Sequence, residues 1–375
     1  MANKKPDENL VDISSNTQVI KLYNKKGRAL RILCLVFSIL FLLGGGAMIY
    51  YYTLLDTLNY VDTPKIAATT PTNSTVTDTS ATVNTSELLR NSKVLNMMLF
   101  GEDNKGDDDH GRTDTMIMLS IDNVHKKLKL TSFQRDTYVY IPGHGYDKIN
   151  ASYTYGGAAL SIQTIEANFG IKIDRYAVVD FDSFIDIIDT LGGVEMEVTQ
   201  DEIDYINYQM YKNDQSDGNR TTITAQPGLV KLTGQEALWY ARNRGLTKGE
   251  DGNEIGLSGD DWDRTSRQRK LLTKMVTDLK GADLAKIISI VNMVGPKITT
   301  NLKKDEITGL VSNALTYINY DIEQSYVPKE GLWYYNGPED ESWDIAGSCI
   351  MIADMQAQRV ALAEFVYEDL VKEQQ

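Results

Sequence analysis

The sequence is poor in cysteine and histidine, with two cysteines and three histidines among 375 residues. Cys34 and Cys349 lie far apart, so no disulfide framework is predicted. The histidines are too few and too scattered to predict a zinc site or a histidine-based catalytic triad. The chain also lacks a phosphate-binding Walker loop, a Gly-x-Gly-x-x-Gly motif and a His-Glu-x-x-His motif. These absences argue against a nucleotide-driven reaction.

Excess positive charge is missing as well. The formal net charge is −14 and the isoelectric point is about 4.8. A nucleic-acid partner normally requires a basic face, so no such partner is predicted.

Residues 32–55 form a run of 24 residues without a charge. As a helix this run would span about 36 Å, enough to cross a hydrocarbon layer of about 30 Å. A cleaved signal peptide is the alternative, but the run is long for one and no Ala-x-Ala site follows it. Lysines and arginines precede the run, and Asp56 and Asp62 follow it. The charge asymmetry predicts a single-pass membrane helix, with a cytoplasmic tail (1–31) and the rest of the chain outside.

The remaining chain divides by composition. Residues 56–86 include a Thr- and Ser-rich stretch typical of an extended linker, residues 87–325 have the apolar patterning of one domain, and residues 326–375 form a partly helical extension. Within the domain, strand-like and helix-like patterns alternate, which predicts an α/β fold with a central mixed sheet flanked by helices. The predicted strands cover 94–100, 115–121, 128–141, 176–179 and 194–198, and the predicted helices cover 157–169, 181–191, 233–242, 263–279, 282–294, 307–318 and 352–371.

Arginines are concentrated in one stretch, since five of the thirteen lie within residues 240–269. In an acidic protein, such a concentration indicates a local anion, and guanidinium groups match phosphate oxygens. Asp103 and Asp114 stand at strand ends, where carboxylates could hold a hard metal ion that contacts the same phosphate. A solvated acidic loop is the alternative for them and the preferred reading for Asp107, Asp108 and Asp109.

The cationic candidates also have plain structural alternatives. Arg112 precedes Asp114 by two residues, and Arg135 precedes Asp136, which could hold its guanidinium or form only a weak surface pair with it. Arg242 and Arg244 lie at a predicted helix C-terminus, where cations complement the helix dipole. On the following helix, Arg264 and Gln268 share a face, and Asp261 stands where an N-cap is expected.

Seven short motifs occur in a fixed order between about residues 94 and 270. They are Gly101-x-Asp103, GRTDTM at 111–116, RDTYV at 135–139, KIN at 148–150, VVDF leading to DTLGGVE at 178–195, LTGQEALWYARNR at 232–244 and DWDRTSRQ at 261–268. In these motifs the chain resembles the catalytic domain of LytR-CpsA-Psr proteins, and a single outward membrane anchor fits that family.

The resemblance implies a phosphotransferase that moves an anionic glycopolymer, such as teichoic acid or capsular polysaccharide, from a polyprenyl-pyrophosphate carrier onto peptidoglycan. It implies Mg²⁺, with Mn²⁺ as the alternative, at Asp103 and Asp114, and Arg135 as the residue most needed for catalysis. It implies a pyrophosphate site formed by Arg112, Lys148, Arg242, Arg244, Arg264 and Gln268, with Asp261 orienting the arginines. A pocket for the polyprenyl tail would take Phe181, Phe184, Ile185 and Ile188, although their helical spacing is also that of an ordinary core.

The chain departs from the family pattern at two positions, where Lys105 replaces an arginine and Gln134 a proline. The Gly-rich loop 246–260 is a candidate lid or acceptor contact. Two other functions stay open from the sequence: a polyprenyl-pyrophosphate phosphatase, and a non-catalytic envelope-binding or regulatory protein.

Overall fold

The computed structural model describes residues 59–61, 88–103, 111–213, 223–245, 247–248, 254–255, 260–280, 282–336 and 348–369. All of them fall in the compact unit that begins at Leu58. No helix in these ranges is both long and apolar enough to cross a membrane. The predicted cytoplasmic tail, the predicted span 32–55 and most of the linker 56–86 lie outside them.

A mixed seven-stranded sheet forms the centre of the fold. In chain order the strands are β1 (Asn59–Tyr60), β2 (Val94–Asp103), β3 (Arg112–Asp122), β4 (Lys127–Phe133), β5 (Tyr138–Ile141), β6 (Gly145–Lys148), β7 (Arg175–Asp180), β8 (Val194–Val198), β9 (Gly228–Leu232), β10 (Thr247–Lys248), β11 (Glu254–Ile255), β12 (Thr299–Thr300), β13 (Asp321–Val327), β14 (Trp333–Asn336) and β15 (Cys349–Ile352). The strand order in the sheet is β1-β12-β7-β2-β3-β4-β13. Pairs β2–β3, β3–β4 and β12–β7 are antiparallel, and pairs β2–β7, β4–β13 and β1–β12 are parallel.

Helices cover both faces of this sheet. They are α1 (Ala151–Phe169), α2 (Phe181–Thr190), α3 (Gln200–Asn213), α4 (Gly234–Arg242), α5 (Asp261–Asp278), α6 (Leu284–Val294), α7 (Lys304–Tyr317) and α8 (Met355–Tyr367). Met98 and Met118 of the strands pack with Ile165 of α1 and Val366 of α8 in one core. Alternate strand residues point to the other face, towards α2, α4 and α5. The predicted α/β fold with a central mixed sheet is confirmed.

A second core lies beyond that other face. The β8–β9 pair packs there with α2, α3, α4 and α5, burying Ile188, Ile206 and Leu232 completely. Helix α4 begins with a capping box in which Thr233 accepts from the backbone of Glu236 and Glu236 accepts from that of Thr233, as the sequence predicts. This second core holds α4 and α5, the two helices that carry the arginine-rich stretch.

Several element boundaries differ from the predictions. Residues 128–141 form two strands, β4 and β5, separated by a turn that contains Arg135. Helix α1 starts at Ala151, six residues early, and the backbone at Gly156 and Gly157 is not helical, which hides the first turn from a periodicity analysis. The proposed boundary at residue 326 falls inside β13, an edge strand of the main sheet.

Gly234 should be intolerant of any side chain, because a Cβ at this position would collide with the backbone carbonyl group of Ile185 in α2. We expect Gly234→Ala to lower the free energy of unfolding by about 2 kcal/mol, since the helices must separate to accept the methyl group. Gly309→Ala is the matched control, because that helical glycine has open space around its Cβ position. It should be neutral or stabilise by up to about 1 kcal/mol. Denaturant unfolding checks both values, and equal stability for the two variants would contradict the close approach of α2 and α4.

Candidate functional site

Asp114 lies at an irregularity in the central sheet. The register of β2 against β3 shifts between Gly101 and Glu102, and Asp114 is the β3 residue left without a partner on β2. Such β-bulges redirect side chains and are common beside active sites. Asp103 pairs with Arg112 just beyond the bulge, so the backbones of three predicted site residues meet at this strand end.

Three arginines from separate elements converge on the Asp114 carboxylate. Arg135 Nη1 donates to its Oδ1 at 2.6 Å, and Arg244 Nη2 donates to its Oδ2 at 2.7 Å. Arg264 Nη1 lies 3.3 Å from the same Oδ2, while Arg264 Nη2 donates to the Asp114 main-chain oxygen at 3.1 Å. Asp114 is therefore the anchor that gathers these guanidinium groups.

Asp261 is the second carboxylate of the cluster. Its Oδ1 lies 2.8 Å from Arg264 Nη2 and 3.3 Å from Arg135 Nε. Both carboxylate oxygens are buried, and neither accepts a hydrogen bond of good geometry from the described residues. Asp261 thus lies between Arg135 and Arg264, and its role in orienting the arginines stays a prediction.

The predicted N-cap role of Asp261 is wrong. Helix α5 begins at Asp261, and Asp260 is the N-cap, whose side chain accepts from the backbone nitrogens of Trp262 and Asp263. The two aspartates are adjacent in sequence, so composition alone does not separate their roles. Because Asp260 caps the helix, the Asp261 carboxylate is available to the arginines.

Lys148 reaches the cluster through Asp136. Lys148 Nζ lies 3.0 Å from Asp136 Oδ1, and Arg135 Nε lies 3.4 Å from Asp136 Oδ2. Asp136 therefore links the two predicted cations, which supports the view that it holds the Arg135 guanidinium in place.

Burial and charge act in opposite directions on the cluster. Burial raises the pKa of Asp114, but the charges of Arg264, Arg135 and Arg244 outweigh it and lower that pKa to about 2. Burial lowers the pKa of Arg264 to about 10, against the opposing charges of Asp261 and Asp114. Near neutral pH Asp114 is therefore ionised and Arg264 is protonated, so the ion pair between these two side chains is intact.

An apolar cavity of about 180 Å³ opens beside this cluster. Strand residues close to Asp114 and residues of α2, α4 and α5 surround it: Leu99, Phe100, Gly101, Thr115, Ile117, Val179, Asp180, Phe181, Phe184, Ile187, Leu238, Ala241, Arg242, Gln268, Leu271, Leu272 and Met275. Thr115 directly follows Asp114 and Gln268 lies one helical turn after Arg264, so the apolar space lies next to the guanidinium cluster.

Arg242 and Gln268 form part of the cavity wall. The Arg242 guanidinium carbon lies 4.3 Å from the ring centroid of Phe181 and 5.3 Å from that of Trp239. Gln268 Oε1 is buried without a hydrogen-bond donor among the described residues. The cavity wall therefore contains the Arg242 guanidinium and the Gln268 Oε1 atom, which accepts no hydrogen bond from the described residues.

The residues predicted for a tail pocket divide into two groups. Phe181 and Phe184 line the cavity, joined by Ile187, which was not predicted. Ile185 and Ile188 are not among its lining residues, and Ile188 is fully buried in the second core. The residues of α2 that line the cavity are spaced three apart, whereas Ile185 and Ile188 lie on adjoining faces of the helix.

The residues of α5 that line the cavity were not predicted from the sequence. Leu271, Leu272 and Met275 continue, at helical spacing, the face that begins at Gln268. That periodicity was available as a signal. Lys105 and most of the loop 246–260 lie outside the described residues, and for Asp103 and Arg112 the structure gives the backbone position.

A family model, that of the LytR_cpsA_psr family, matches residues 58–347. Two relatives are named polyisoprenyl-teichoic acid–peptidoglycan teichoic acid transferase TagU. The protein from Oceanobacillus iheyensis is 31% identical over 266 residues, covering 68% of this chain and 75% of the relative. The protein from Bacillus licheniformis is 29% identical, with 68% and 76% covered.

Solved structures show the same fold. B. subtilis TagV is 26% identical, with a TM-score of 0.55 over 74% of this chain and 98% of its own. YwtF (TagT), described with a bound octaprenyl pyrophosphate lipid, is 22% identical, with a TM-score of 0.52 over 73% of this chain and 91% of its own. At that identity the second match supports the fold alone.

Proposed function

The chain belongs to the LytR-CpsA-Psr family, and from this premise we propose that it transfers an anionic glycopolymer, of the teichoic acid or capsular polysaccharide type, from a polyprenyl-pyrophosphate carrier onto peptidoglycan. One observation carries the proposal: the apolar cavity is lined by Thr115, which directly follows Asp114, and by Gln268, one helical turn after Arg264, so it lies next to the guanidinium groups around Asp114. This pairing suits a ligand with a long apolar chain and a multiply charged head. The names of the TagU relatives support the same ligand class.

The cluster carries more positive than negative charge. Arg135, Arg244 and Arg264 share the carboxylates of Asp114 and Asp261. A pyrophosphate entering here would meet planar guanidinium groups already held by hydrogen bonds, so little ordering is required when it binds. Phosphoryl transfer depends mainly on such positioning and electrostatic stabilisation.

In the proposed reaction a peptidoglycan hydroxyl oxygen attacks the phosphorus that carries the glycan, and the hydroxyl proton is released to solvent. The bond from this phosphorus to the bridging oxygen breaks, and polyprenyl phosphate leaves. Arg135 is the proposed catalytic residue, because its guanidinium joins Asp114 and Asp261 at the centre of the cluster. Lys148, Arg242, Arg244, Arg264 and Gln268 would hold the pyrophosphate, together with Arg112.

A magnesium ion at Asp114 would share a carboxylate whose two oxygens accept from Arg135 and Arg244. The depressed pKa keeps this carboxylate ionised, and Mg²⁺ prefers hard oxygen ligands. We propose that Asp114, together with Asp103 from the neighbouring strand, would hold Mg²⁺ or Mn²⁺. The ion would neutralise phosphate charge when bound.

Metal removal tests this part. Treating the protein with a chelator should abolish transfer, and adding Mg²⁺ or Mn²⁺ should restore it. The reason is that Asp103, Asp114 and the phosphates of the donor would bind the same ion. The measurement is the rate of product formation before and after dialysis. Full activity in the chelator would rule out the metal while leaving the arginine assignments in place.

The proposed location follows from the sequence. A helix over residues 32–55 would anchor the protein in the cytoplasmic membrane, with residues 1–31 inside and the catalytic domain outside, where lipid carrier and peptidoglycan are both available.

Hydrolysis is the competing reaction at the same site. We would run the reaction in water labelled with heavy oxygen and analyse the glycan phosphate by mass spectrometry. Transfer predicts a phosphodiester to peptidoglycan without the label. Labelled free glycan phosphate as the main product, with peptidoglycan oligomers present, would show a phosphatase instead.

A further inference from the structure

Four aromatic side chains pack together beside the charged cluster. The rings of Trp262 and Trp333 are stacked, with centroids 4.8 Å apart and planes at 28°. Tyr335 packs edge-on against Trp333 at 4.9 Å, and Tyr326 packs edge-on against Trp262 at 5.2 Å. Trp262 Nε1 donates to the Tyr335 hydroxyl oxygen at 3.1 Å. The set is therefore fixed both by ring packing and by a hydrogen bond.

This aromatic cluster is attached to the loop that carries the proposed catalytic arginine. Trp262 directly follows Asp261 on α5, and Tyr335 pairs with Ile350 in the adjacent strand. The Ile350 backbone nitrogen donates to the main-chain oxygen of Asp136 at 2.9 Å. The strand pair β14–β15 is thus joined directly to the residue after Arg135.

Tyr335 remains 54% exposed despite these contacts. Partial burial raises the pKa of Tyr335, the hydrogen bond from Trp262 opposes this, and the charges of Asp260 and Asp261 raise it further. The hydroxyl therefore stays protonated at neutral pH and available as a donor.

We propose that Trp262, Trp333 and Tyr335 form a subsite that stacks against a sugar ring of the peptidoglycan acceptor. The apolar C–H face of a pyranose can lie on an aromatic ring, while its hydroxyls reach the Tyr335 oxygen and the neighbouring carboxylates. Rigid amphipathic rings such as Trp and Tyr supply large contact area at a low cost in conformational entropy. The assignment rests on the proposed transfer reaction.

The direction of the reaction indicates that the aromatic subsite binds the acceptor rather than the donor glycan. Along α5 the cavity wall begins at Gln268 and continues through Met275, whereas Trp262 lies at the opposite end, about 9 Å from Gln268 along the axis. With the carrier's tail in the cavity, the leaving phosphate is on the cavity side. An in-line displacement brings the attacking oxygen from the opposite side, towards the first turn of α5.

The test compares steady-state transfer by the full-length protein and three variants, with uncross-linked peptidoglycan oligomers as acceptor. Tyr335→Ala should raise the KM for the oligomers about tenfold or more and leave the KM for the lipid-linked donor within about twofold. Tyr335→Phe keeps the ring and should stay within about threefold of wild type. Tyr334→Ala is the matched control, because Tyr334 is 52% exposed on the same strand but points to the other face.

Each contrary result has a distinct meaning. An unchanged acceptor KM in Tyr335→Ala overturns the subsite, and so does an equal loss in Tyr335→Phe, since stacking would then not be the cause. A rise confined to the donor KM assigns the rings to the donor glycan and overturns the acceptor assignment. Thermal unfolding, equal across the variants, confirms that the changes are local.

A binding measurement separates this inference from the proposed function. If the wild type makes no product, the proposed transfer fails, and tryptophan fluorescence then decides the subsite alone. Peptidoglycan oligomers should change the emission of the wild type in a saturable way and have little effect on Tyr335→Ala. Identical titrations for the two proteins would overturn the subsite.

Discussion

Replacing Arg135 with alanine should lower the turnover number for transfer by about a thousandfold or more, with the fold intact. Arginines that stabilise charge in phosphoryl transfer typically account for factors of about 10³–10⁵. Arg135 joins both carboxylates of the cluster, at 2.6 Å from Asp114 and 3.3 Å from Asp261. Its removal leaves Asp114 paired with Arg244 and Arg264, so the loss should fall on catalysis rather than stability. Initial rates at saturating donor and acceptor measure it.

Two further variants define this result. Arg175→Ala removes an arginine that pairs with Glu306 away from the cluster, and it should retain wild-type turnover. Arg135→Lys keeps the charge but not the planar fork, so we expect it to recover only a small part of the activity. Turnover within about tenfold of wild type for Arg135→Ala would remove Arg135 from its proposed role.

Placing a charge in the cavity should abolish the advantage of a long carrier chain. Ile187 lines the cavity, and a carboxylate there would have to be desolvated when a polyprenyl chain binds. We expect Ile187→Glu to raise the KM for a long-chain donor about thirtyfold, which corresponds to about 2 kcal/mol. A donor with a short isoprenoid buries few methylene groups in the cavity, and each buried methylene contributes about 0.8 kcal/mol. Its binding therefore depends little on the cavity, and we expect its KM to change much less.

Met293→Glu is the control for this variant. Met293 lies on α6 and is 45% exposed, so the same charge meets water there. Its KM values for both donors should match those of the wild type. A similar loss for long and short donors in Ile187→Glu would mean that the tail binds elsewhere.

The sequence predicts the elements of the site better than the contacts among them. Periodicity and capping signals predict α2 and α4 within a residue or two, because those helices carry strong local patterns such as the Thr233–Glu236 box. The ordered motifs single out Asp114, Arg135, Arg244 and Arg264. Their convergence depends on a β-bulge and on packing between distant segments, and neither has a local signature.

The missed features share a physical cause. Asp260 and Asp261 are chemically identical neighbours, so which one caps α5 is decided by the first turn's geometry. The strand pair β14–β15 closes against the Arg135 loop through a contact between residues more than two hundred positions apart. No short window of sequence contains this long-range contact. The position of Tyr335 beside the site therefore could not be predicted from the sequence.

The most direct test of the proposed function is whether the full-length protein joins glycan to peptidoglycan. We would combine it with Mg²⁺, a polyprenyl-pyrophosphate-linked glycan and uncross-linked peptidoglycan oligomers, and identify products by mass spectrometry. The proposal predicts a new species in which glycan and peptidoglycan are linked through a phosphodiester, with polyprenyl phosphate released in equal amount. Donor consumption without that linked species, or no consumption of a donor that binds, would contradict it.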